Sequence, residues 1–185
     1  MKIVGGKFKG KKLLLPTDKN TRPLRNMVKE SIFNLLENSN KFELKIKNSN
    51  ILDLFSGSGS FGLECISRDA NSVIFVENYS KAYEVLKKNV SQFKFPKKCE
   101  IFKKNCFDFL KIKNFKEKFN IIFIDPPFRE KNINLLLEQI SEKKILNKKG
   151  IIIIHKHKKD NFKIFDRFSV IDERIYGISK IIIGY

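Results

Sequence analysis

The sequence contains no tryptophan and only three cysteines and two histidines among 185 residues. Cys65, Cys99 and Cys106 form no C-x-x-C pair and are odd in number, so neither a disulfide framework nor a zinc site is expected. The first fifteen residues lack a signal-peptide apolar stretch, and no apolar run approaches the ~20 residues that a bilayer-spanning helix needs. We therefore expect a cytoplasmic protein with reduced thiols and no membrane contact, and nothing in the sequence demands a dimer.

Acidic residues are also scarce. Asp and Glu number 20 against 38 Lys and Arg, which gives a formal net charge of +18. Such an excess favours a polyanionic partner, most simply a nucleic acid. A bias toward A/T-rich codons accounts for the preference for Lys over Arg, but not for the excess of basic over acidic residues.

Short β-branched runs alternate with helical spacing from residue 50 onward. Such runs suit strands buried on both faces, and the alternation predicts βαβ units in a mostly parallel sheet. The predicted strands cover 50–55, 72–76, 100–103, 120–124, 151–154 and 181–183, and the predicted helices cover 24–37, about 60–67, 81–92 and 132–145. The tail at 162–185 predicts an antiparallel hairpin. We expect an α/β fold of the Rossmann-like type, with about seven strands flanked by helices.

A glycine-rich turn follows the first predicted strand. Gly57, Gly59 and Gly62 have the spacing G-x-G-x-x-G, in which glycine lets a turn close tightly and lets backbone approach a ligand. Such a loop can cradle the pyrophosphate of a dinucleotide or lie against the amino-acid part of S-adenosylmethionine. Asp53 would repel a pyrophosphate but can hydrogen-bond a ligand ammonium, directly or through water, which favours S-adenosylmethionine.

Glu77 follows the second predicted strand, 15 residues after Gly62. A carboxylate at this position accepts hydrogen bonds from the hydroxyl groups of a ribose. NAD and S-adenosylmethionine both carry an adenosine ribose. Glu77 therefore predicts an adenosine cofactor without distinguishing between the two.

The motif Asp125-Pro126-Pro127-Phe128 directly follows the fourth predicted strand. Because ligands bind beyond the carboxyl ends of parallel strands, we expect it in the same crevice as the glycine-rich turn. Two prolines fix φ and remove two backbone donors. The Asp125 carboxylate and the Pro126 carbonyl can each accept one hydrogen of a base amine, while Phe128 stacks on the base, which is worth roughly 1–3 kcal/mol. The motif predicts methyl transfer to an exocyclic amino group whose lone pair is held toward the methyl donor.

Asn105, Cys106 and Phe107 follow the third predicted strand. The Asn105 amide can bind an edge of adenine while Phe107 covers one face, and an equally open alternative is that Asn105 caps a helix. His155 and His157 follow the fifth strand, but no third metal ligand accompanies them. No metal site is expected.

The order of these motifs resembles the bacterial 16S ribosomal RNA guanine-N2 methyltransferases that modify guanine 966 of the small subunit. The resemblance covers nearly the whole chain, and its most family-specific part is N-terminal. The matching segments are 3–13 (IVGGKFKGKKL), Arg22-Pro23, 28–34 (VKESIFN), 53–59 (DLFSGSG), Glu77 and 125–128 (DPPF).

The resemblance implies a single methyltransferase domain over 1–185. Its N-terminal extension at 1–40 carries a basic hairpin and a helix, and its catalytic core spans 50–185. The same resemblance implies that Asp53, Gly57, Gly59 and Glu77 bind S-adenosylmethionine. The other predicted cofactor contacts are Phe55, Asn78, Asn105, Cys106 and Phe107. Residues 125–128 are implied to hold a guanine of 16S ribosomal RNA, in a small subunit or an assembly intermediate.

The resemblance also implies nucleic-acid contacts in the N-terminal extension. Arg22 is expected to touch substrate or cofactor. Lys7, Lys9, Lys11 and Lys12 look like contacts to the RNA backbone, which set affinity rather than sequence choice. A basic hairpin exposed to solvent and without RNA contacts is the alternative.

Three other functions stay open. A DNA adenine-N6 methyltransferase would apply the same motif to another base, although 185 residues leave little room for a target-recognition segment. An NAD-dependent oxidoreductase accounts for the glycines and Glu77 but leaves Asp53 and 125–128 without a purpose. A non-catalytic ribosome-binding protein would bind RNA tightly and have no affinity for S-adenosylmethionine.

Overall fold

The computed structural model describes residues 1–18, 24–93, 96–160 and 163–185. The strands are β1 (Asn50–Leu54), β2 (Ser72–Val76), β3 (Cys99–Phe102), β4 (Phe119–Ile124), β5 (Leu146–His157), β6 (Val170–Tyr176) and β7 (Ser179–Gly184). The α-helices are α1 (Asn26–Asn38), α2 (Ser60–Ser67), α3 (Ser80–Ser91), α4 (Cys106–Ile112) and α5 (Ile133–Glu142). None of the helices in these segments is both long and apolar enough to span a bilayer.

The seven strands form one sheet in the order β3-β2-β1-β4-β5-β7-β6. Strands β1 to β5 pair in parallel, whereas β7 runs antiparallel to both β5 and β6. The predicted mostly parallel sheet with an antiparallel C-terminal hairpin is therefore confirmed. Because β1 lies between β2 and β4, the chain reverses its winding there, and the ligand crevice of such a sheet is expected beyond the carboxyl ends of β1 and β4.

Helices cover both faces of the sheet. On one face α1, α2 and α3 pack against side chains that include Ile51, Phe123 and Ile153. On the other face α4 and α5 pack against side chains that include Leu52 and Ile154. Successive residues of a strand point to opposite faces, so a strand buried on both sides is apolar at every position. This arrangement accounts for the unbroken isoleucine runs.

The largest departures from the predicted elements are at α4, α5 and β5. Helix α4 was not predicted as an element. Helix α5 ends at Glu142, earlier than predicted, and Lys144 adopts a φ of 51° that a continuing helix does not allow. Strand β5 begins at Leu146, which pairs with Phe119 of β4 across a register shift.

The predicted N-terminal hairpin is present in a short form. Lys2 and Lys12 make an antiparallel bridge, and the Ile3 N–H donates to the Lys11 carbonyl at 2.9 Å. A 3-10 turn at Gly6–Phe8 connects the two extended pieces. The hairpin packs on helix α2, because the Phe8 N–H donates to the Ser67 hydroxyl at 2.9 Å.

Glu64 of α2 anchors this hairpin to the rest of the core. Its carboxylate accepts hydrogen bonds from the backbone N–H groups of Val4 at 2.8 Å and Gly5 at 2.7 Å. Lys29 of α1 pairs with the same carboxylate at 3.3 Å, and neither side chain is exposed. Burial lowers the pKa of Lys29, and the neighbouring carboxylate opposes that change. One buried carboxylate thus joins the hairpin, α1 and α2.

Candidate active site

Polar side chains collect where β1, β2, β4 and β5 end. Leu54 of β1 pairs with Ile124 of β4, which in turn pairs with Ile154 of β5. Asp125 and His155 are the next residues along their chains, so they stand side by side one step beyond this level. Glu77 occupies the corresponding place after β2, since the last residue of β2 also pairs with Leu54. The structure therefore brings Glu77, predicted to bind cofactor, and Asp125, predicted to hold the base, to one edge of the sheet.

Asp53 lies beneath the glycine-rich loop. Its carboxylate accepts a hydrogen bond from the Gly62 N–H at 3.0 Å, and only 1% of the residue is exposed. Burial raises the pKa of Asp53 well above its usual range, and the charges of Asp125 and Glu77 raise it further. Asp53 thus fastens the start of α2 to β1.

The three glycines of the loop meet different demands. Gly57 has a φ of 55° and Gly59 a φ of 79°, in the left-handed region that favours glycine. A Cβ at Gly59 would lie 2.5 Å from Leu86, and one at Gly62 would lie 2.3 Å from the Phe75 ring. A Cβ at Gly57 would meet nothing within 4 Å. The loop is thus packed against the core at its second and third glycines and open at its first.

Glu77 fixes the other side of the loop. One of its carboxylate oxygens accepts from the Gly57 N–H at 2.8 Å and the other from the Tyr79 N–H at 2.8 Å. Burial raises the pKa of Glu77, and the hydrogen bonds from the backbone partly offset that effect. Asn78, also predicted to contact the cofactor, is exposed beside it. The arrangement leaves Glu77 rigidly oriented at the mouth of the crevice.

A segment of the N-terminal extension runs toward this mouth. Asn89 of α3, which is fully buried, accepts from the Leu14 N–H at 2.9 Å and donates to the carbonyls of Leu14 at 3.0 Å and Ser58 at 2.8 Å. Asp18 accepts from the Tyr79 hydroxyl at 2.7 Å. Sequence reasoning did not identify Asn89, because its role depends on two segments that are distant along the chain.

Phe55 directly follows β1, and Phe107 lies in the first turn of α4. Phe55 has a φ of 58°, which is uncommon for a bulky residue, and its N–H donates to the Cys106 sulfur at 3.3 Å. The two rings meet edge to face with centroids 6.4 Å apart. Cys106 is buried, which raises the pKa of its thiol. Its sulfur holds the backbone of Phe55 through this hydrogen bond. The Asn105 side chain accepts from the Phe107 N–H at 2.9 Å, so the helix-cap alternative describes its observed contact.

The Asp125-Pro126-Pro127-Phe128 motif forms the opposite wall. Pro126 is buried and Pro127 is exposed. The Pro127 carbonyl accepts from the Glu130 N–H at 2.8 Å, which closes a turn behind the motif. The partly exposed ring of Phe128 meets the ring of His155 edge to face, with centroids 6.2 Å apart.

His155 is a second residue whose role sequence reasoning missed. Its Nδ1 lies 2.8 Å from Asp125 Oδ1, and its Nε2 lies 2.8 Å from the Ser179 hydroxyl. The ring is fully buried. The sequence shows that His155 follows a strand, but only the sheet order places that strand beside β4 and β7. Within the described segments, no three His, Cys, Asp or Glu side chains are grouped as metal ligands.

Comparison with known proteins identifies the family. The family described as conserved hypothetical protein 95 matches residues 1–185. Ribosomal RNA small subunit methyltransferase D of Buchnera aphidicola subsp. Acyrthosiphon pisum is 32% identical over 173 residues, which cover 94% of this chain and 86% of that protein. The protein of the same name from Haemophilus influenzae is 30% identical over 179 residues, covering 96% and 90% of the two chains. The chain belongs to the ribosomal RNA small subunit methyltransferase D family.

Solved structures agree with this membership. The Escherichia coli protein yhhF, named as a methyltransferase candidate, superposes with a TM-score of 0.84 at 25% identity. The match covers 100% of this chain and 96% of that protein. The similarity therefore includes the N-terminal extension as well as the sheet.

The basic hairpin of this family member lies away from the crevice. Lys7 pairs with Asp69 at 2.6 Å, and Asp69 lies between α2 and β2, at the amino ends of the strands. Lys11 donates to the backbone of α3's C-terminal turn and lies over the Phe93 ring at 4.5 Å. Lys9 and Lys12 are exposed. The predicted Arg22 contact lies outside the described residues.

Proposed function

We propose that the chain transfers a methyl group from S-adenosylmethionine to the exocyclic N2 amine of a guanine in 16S ribosomal RNA. The observation that carries the proposal is the meeting of two sets of residues at one edge of the sheet. Glu77 and the glycine-rich loop follow β2 and β1, whereas the Asp125-Pro-Pro-Phe128 motif follows β4. A crevice at such a switch point suits a cofactor on one side and a base on the other.

The charge of the crevice supports S-adenosylmethionine as the cofactor. Burial and the mutual repulsion of Asp53, Glu77 and Asp125 act against ionisation of the first two carboxyls. A ligand that brings a sulfonium and an ammonium relieves this repulsion, whereas the pyrophosphate of NAD would add to it. The open space at Gly57 fits a ligand that lies against the loop backbone.

The cofactor residues have distinct proposed roles. Glu77 accepts hydrogen bonds from the ribose hydroxyls, for which a carboxylate has lone pairs beyond those used by its two backbone donors. The rings of Phe55 and Phe107 cover the adenine, with Asn105, Asn78 and Cys106 around them. Asp53 acts on the ammonium end directly or through water, and through the loop that it fastens.

The substrate residues orient the amine. The Asp125 carboxylate and the Pro126 carbonyl accept its two hydrogens, and Phe128 stacks on the base, so the nitrogen lone pair faces the methyl group. When bound, the cofactor supplies a methyl group activated by the sulfonium. Holding the reacting atoms in line makes the transfer effectively intramolecular. The Asp125 carboxylate, which holds the amine, also accepts the proton that the nitrogen loses.

Ribosomal RNA is taken as the substrate because the relatives from Buchnera and Haemophilus are named ribosomal RNA small subunit methyltransferases. Guanine N2, and nucleotide 966 in particular, are supported by the motif resemblance alone. A splayed-out base in an RNA loop would fit the crevice. We further propose a small subunit or an assembly intermediate as the physiological partner of a monomeric enzyme.

Transfer of a labelled methyl group from S-adenosylmethionine tests the proposal. Undermodified small-subunit particles, free 16S ribosomal RNA and DNA are the substrates, and labelled nucleosides are identified after digestion. Label in N2-methylguanosine from RNA is expected. Label in N6-methyladenine from DNA would retain the cofactor but replace the substrate. No label in any substrate, despite measured cofactor binding, would contradict the proposed reaction.

A further inference from the structure

We propose that His155 is a positioning residue for the methyl transfer: its Nδ1–H fixes the plane of the Asp125 carboxylate, and Ser179 anchors the other side of its ring. The inference rests on the proposed function, in which Asp125 holds the amine of the base. It assigns a role to two side chains that belong neither to the glycine-rich loop nor to the Asp-Pro-Pro-Phe motif.

The three side chains form a row across neighbouring strands. Asp125 follows β4, His155 lies in β5 and Ser179 begins β7, and β5 pairs with both of the other strands. The row has two short contacts of 2.8 Å each, one at either ring nitrogen of His155. Neither His155 nor Ser179 is exposed by more than 1%, whereas 13% of the Asp125 side chain remains exposed. The row thus runs from the buried sheet to the crevice.

The contacts determine which nitrogen of the neutral ring carries the proton. An ionised carboxylate only accepts hydrogen bonds, so the nitrogen that faces Asp125 must be the protonated one. Nε2 is then an acceptor, and the Ser179 hydroxyl donates to it. The opposite tautomer would set a lone pair of Nδ1 against the charge of Asp125. Asp125 therefore selects the tautomer, and Ser179 satisfies the second ring nitrogen, because a hydroxyl can donate to it.

The contact constrains a torsion that is otherwise loose. The terminal torsion of an aspartate is broad, because rotation about an sp³–sp² bond has low barriers. A hydrogen bond from a ring held in the sheet restricts that rotation. The carboxylate keeps the capacity to accept an amine hydrogen, since its two oxygens offer about four lone-pair sites. His155 thus orients the acceptor without replacing it.

Phe128 extends the row to the proposed base. Its ring meets His155 edge to face at 6.2 Å and His157 at 4.9 Å between centroids. The acceptor of the amine and the ring that stacks on the base are therefore aligned by the same strand. A displacement of His155 would misalign both groups with respect to the methyl donor.

Conservative variants separate positioning from a merely structural role. The amide of His155→Asn can donate from near the place of Nδ1, whereas the amide of His155→Gln reaches toward the place of Nε2. We expect His155→Gln to lower kcat by about 10- to 100-fold, as loss of a supporting hydrogen bond does elsewhere. His155→Asn should recover most of that rate. The KM for RNA and the Kd for S-adenosylmethionine should change by less than about threefold in both variants.

Ser179→Ala tests the outer contact and serves if a histidine variant does not fold. We expect a smaller fall in kcat, about threefold to tenfold, because the Asp125 contact persists while the ring loses its second hydrogen bond. Ser49→Ala is the matched control, since Ser49 is a buried serine that bonds the Lys45 carbonyl near the start of β1. It should leave kcat unchanged.

The protonation state of the ring gives a readout independent of activity. The chain has two histidines, so ¹⁵N chemical shifts of the labelled protein distinguish their tautomers, and a His157→Asn spectrum assigns them. His155 is expected as the Nδ1–H form, and an Nε2–H form would overturn the inference. Equal kcat losses in the Asn and Gln variants, or none in either, would overturn it as well. A wild-type chain that methylates no substrate would instead refute the proposed function.

Discussion

The carboxylate of Asp53 accepts a hydrogen bond from the backbone N–H of Gly62 at 3.0 Å, beneath the loop that opens onto the crevice. Burial holds the pKa of Asp53 well above its usual range. A carboxyl group of this kind binds protons more tightly in the folded chain than in the unfolded chain. Its contribution to stability is fully present below the unfolded pKa and is lost as the pH rises through the folded pKa. The loop is thus held by a group that destabilises the cofactor-free protein when it ionises.

Replacing Asp53 with Asn should therefore stabilise the cofactor-free protein at high pH. Asparagine retains an oxygen that can accept from Gly62 but cannot ionise. We expect the melting temperature of Asp53→Asn to exceed that of the wild type at pH 8, and the difference to shrink as the pH falls toward the usual aspartate pKa. Each pKa unit corresponds to about 1.4 kcal/mol. Scanning calorimetry across this pH range measures the difference.

A matched variant isolates the effect of burial. Asp166 is largely exposed, so Asp166→Asn should shift the melting temperature little and without this pH dependence. A difference in melting temperature between Asp53→Asn and the wild type that stayed constant with pH would mean that ionisation of Asp53 does not destabilise the folded chain. Asp53→Asn should also bind S-adenosylmethionine more weakly than the wild type, which isothermal titration calorimetry can detect.

The sequence alone predicts those parts of the site that depend on one strand and the turn that follows it. Asp125 and Glu77 could be predicted because each ends an apolar run, and in a parallel sheet such ends share one edge. His155 also follows an apolar run, at 151–154. Its contacts with Asp125 and Ser179 depend on β5 lying between β4 and β7, and a single sequence does not determine that strand order.

Helix α4 and the N-terminal hairpin show a second limit. Helix α4 is short, and the pattern after Asn105 permits a helix cap and an adenine contact equally well; the structure shows the cap. The charges of Lys7 and Lys11 favour RNA contact in the sequence. In the folded chain both have intramolecular partners, which local sequence does not reveal.

Asp125→Ala should separate chemistry from cofactor binding. We expect methyl transfer to fall by about 100-fold, because misplacement of the amine by about 1 Å has a cost of that order. The Kd for S-adenosylmethionine should stay nearly unchanged, since Glu77 and the glycine-rich loop hold the other side of the crevice. Single-turnover transfer and equilibrium cofactor binding give the two quantities. Equal losses of cofactor affinity and transfer rate would show that the role proposed for Asp125 is wrong.

Phe128→Leu should weaken the stacking interaction with the target base. Stacking of a base on an aromatic ring is worth roughly 1–3 kcal/mol, so kcat/KM for RNA should fall by at least about fivefold. Phe115→Leu is the matched control, because Phe115 is a partly buried ring packed against Phe109 and Phe119. It lies on the face of the sheet that α4 and α5 cover. The control variant should lower the melting temperature but leave kcat/KM for RNA near the wild-type value. Equal kcat/KM values for the two variants would exclude stacking by Phe128.

The hairpin lysines can be tested by the salt dependence of RNA binding. Lys9 and Lys12 are exposed, whereas Lys7 pairs with Asp69. If both exposed lysines contact phosphates, the double variant Lys9→Gln, Lys12→Gln should reduce the slope of log K against log salt concentration by about 1.4 for single-stranded RNA. The value of kcat should be unchanged, because the hairpin packs near the amino ends of the strands and the crevice lies at the carboxyl ends.

A control of equal charge separates contact from net charge. Lys116 and Lys118 are exposed just before β4, and changing both to Gln removes the same two charges. If the hairpin contacts RNA, only the Lys9 and Lys12 variant should change the slope. Equal changes in both variants would mean that the net charge of +18 attracts RNA without a defined contact. An unchanged slope for the hairpin variant would favour the alternative in which the hairpin is basic but faces solvent.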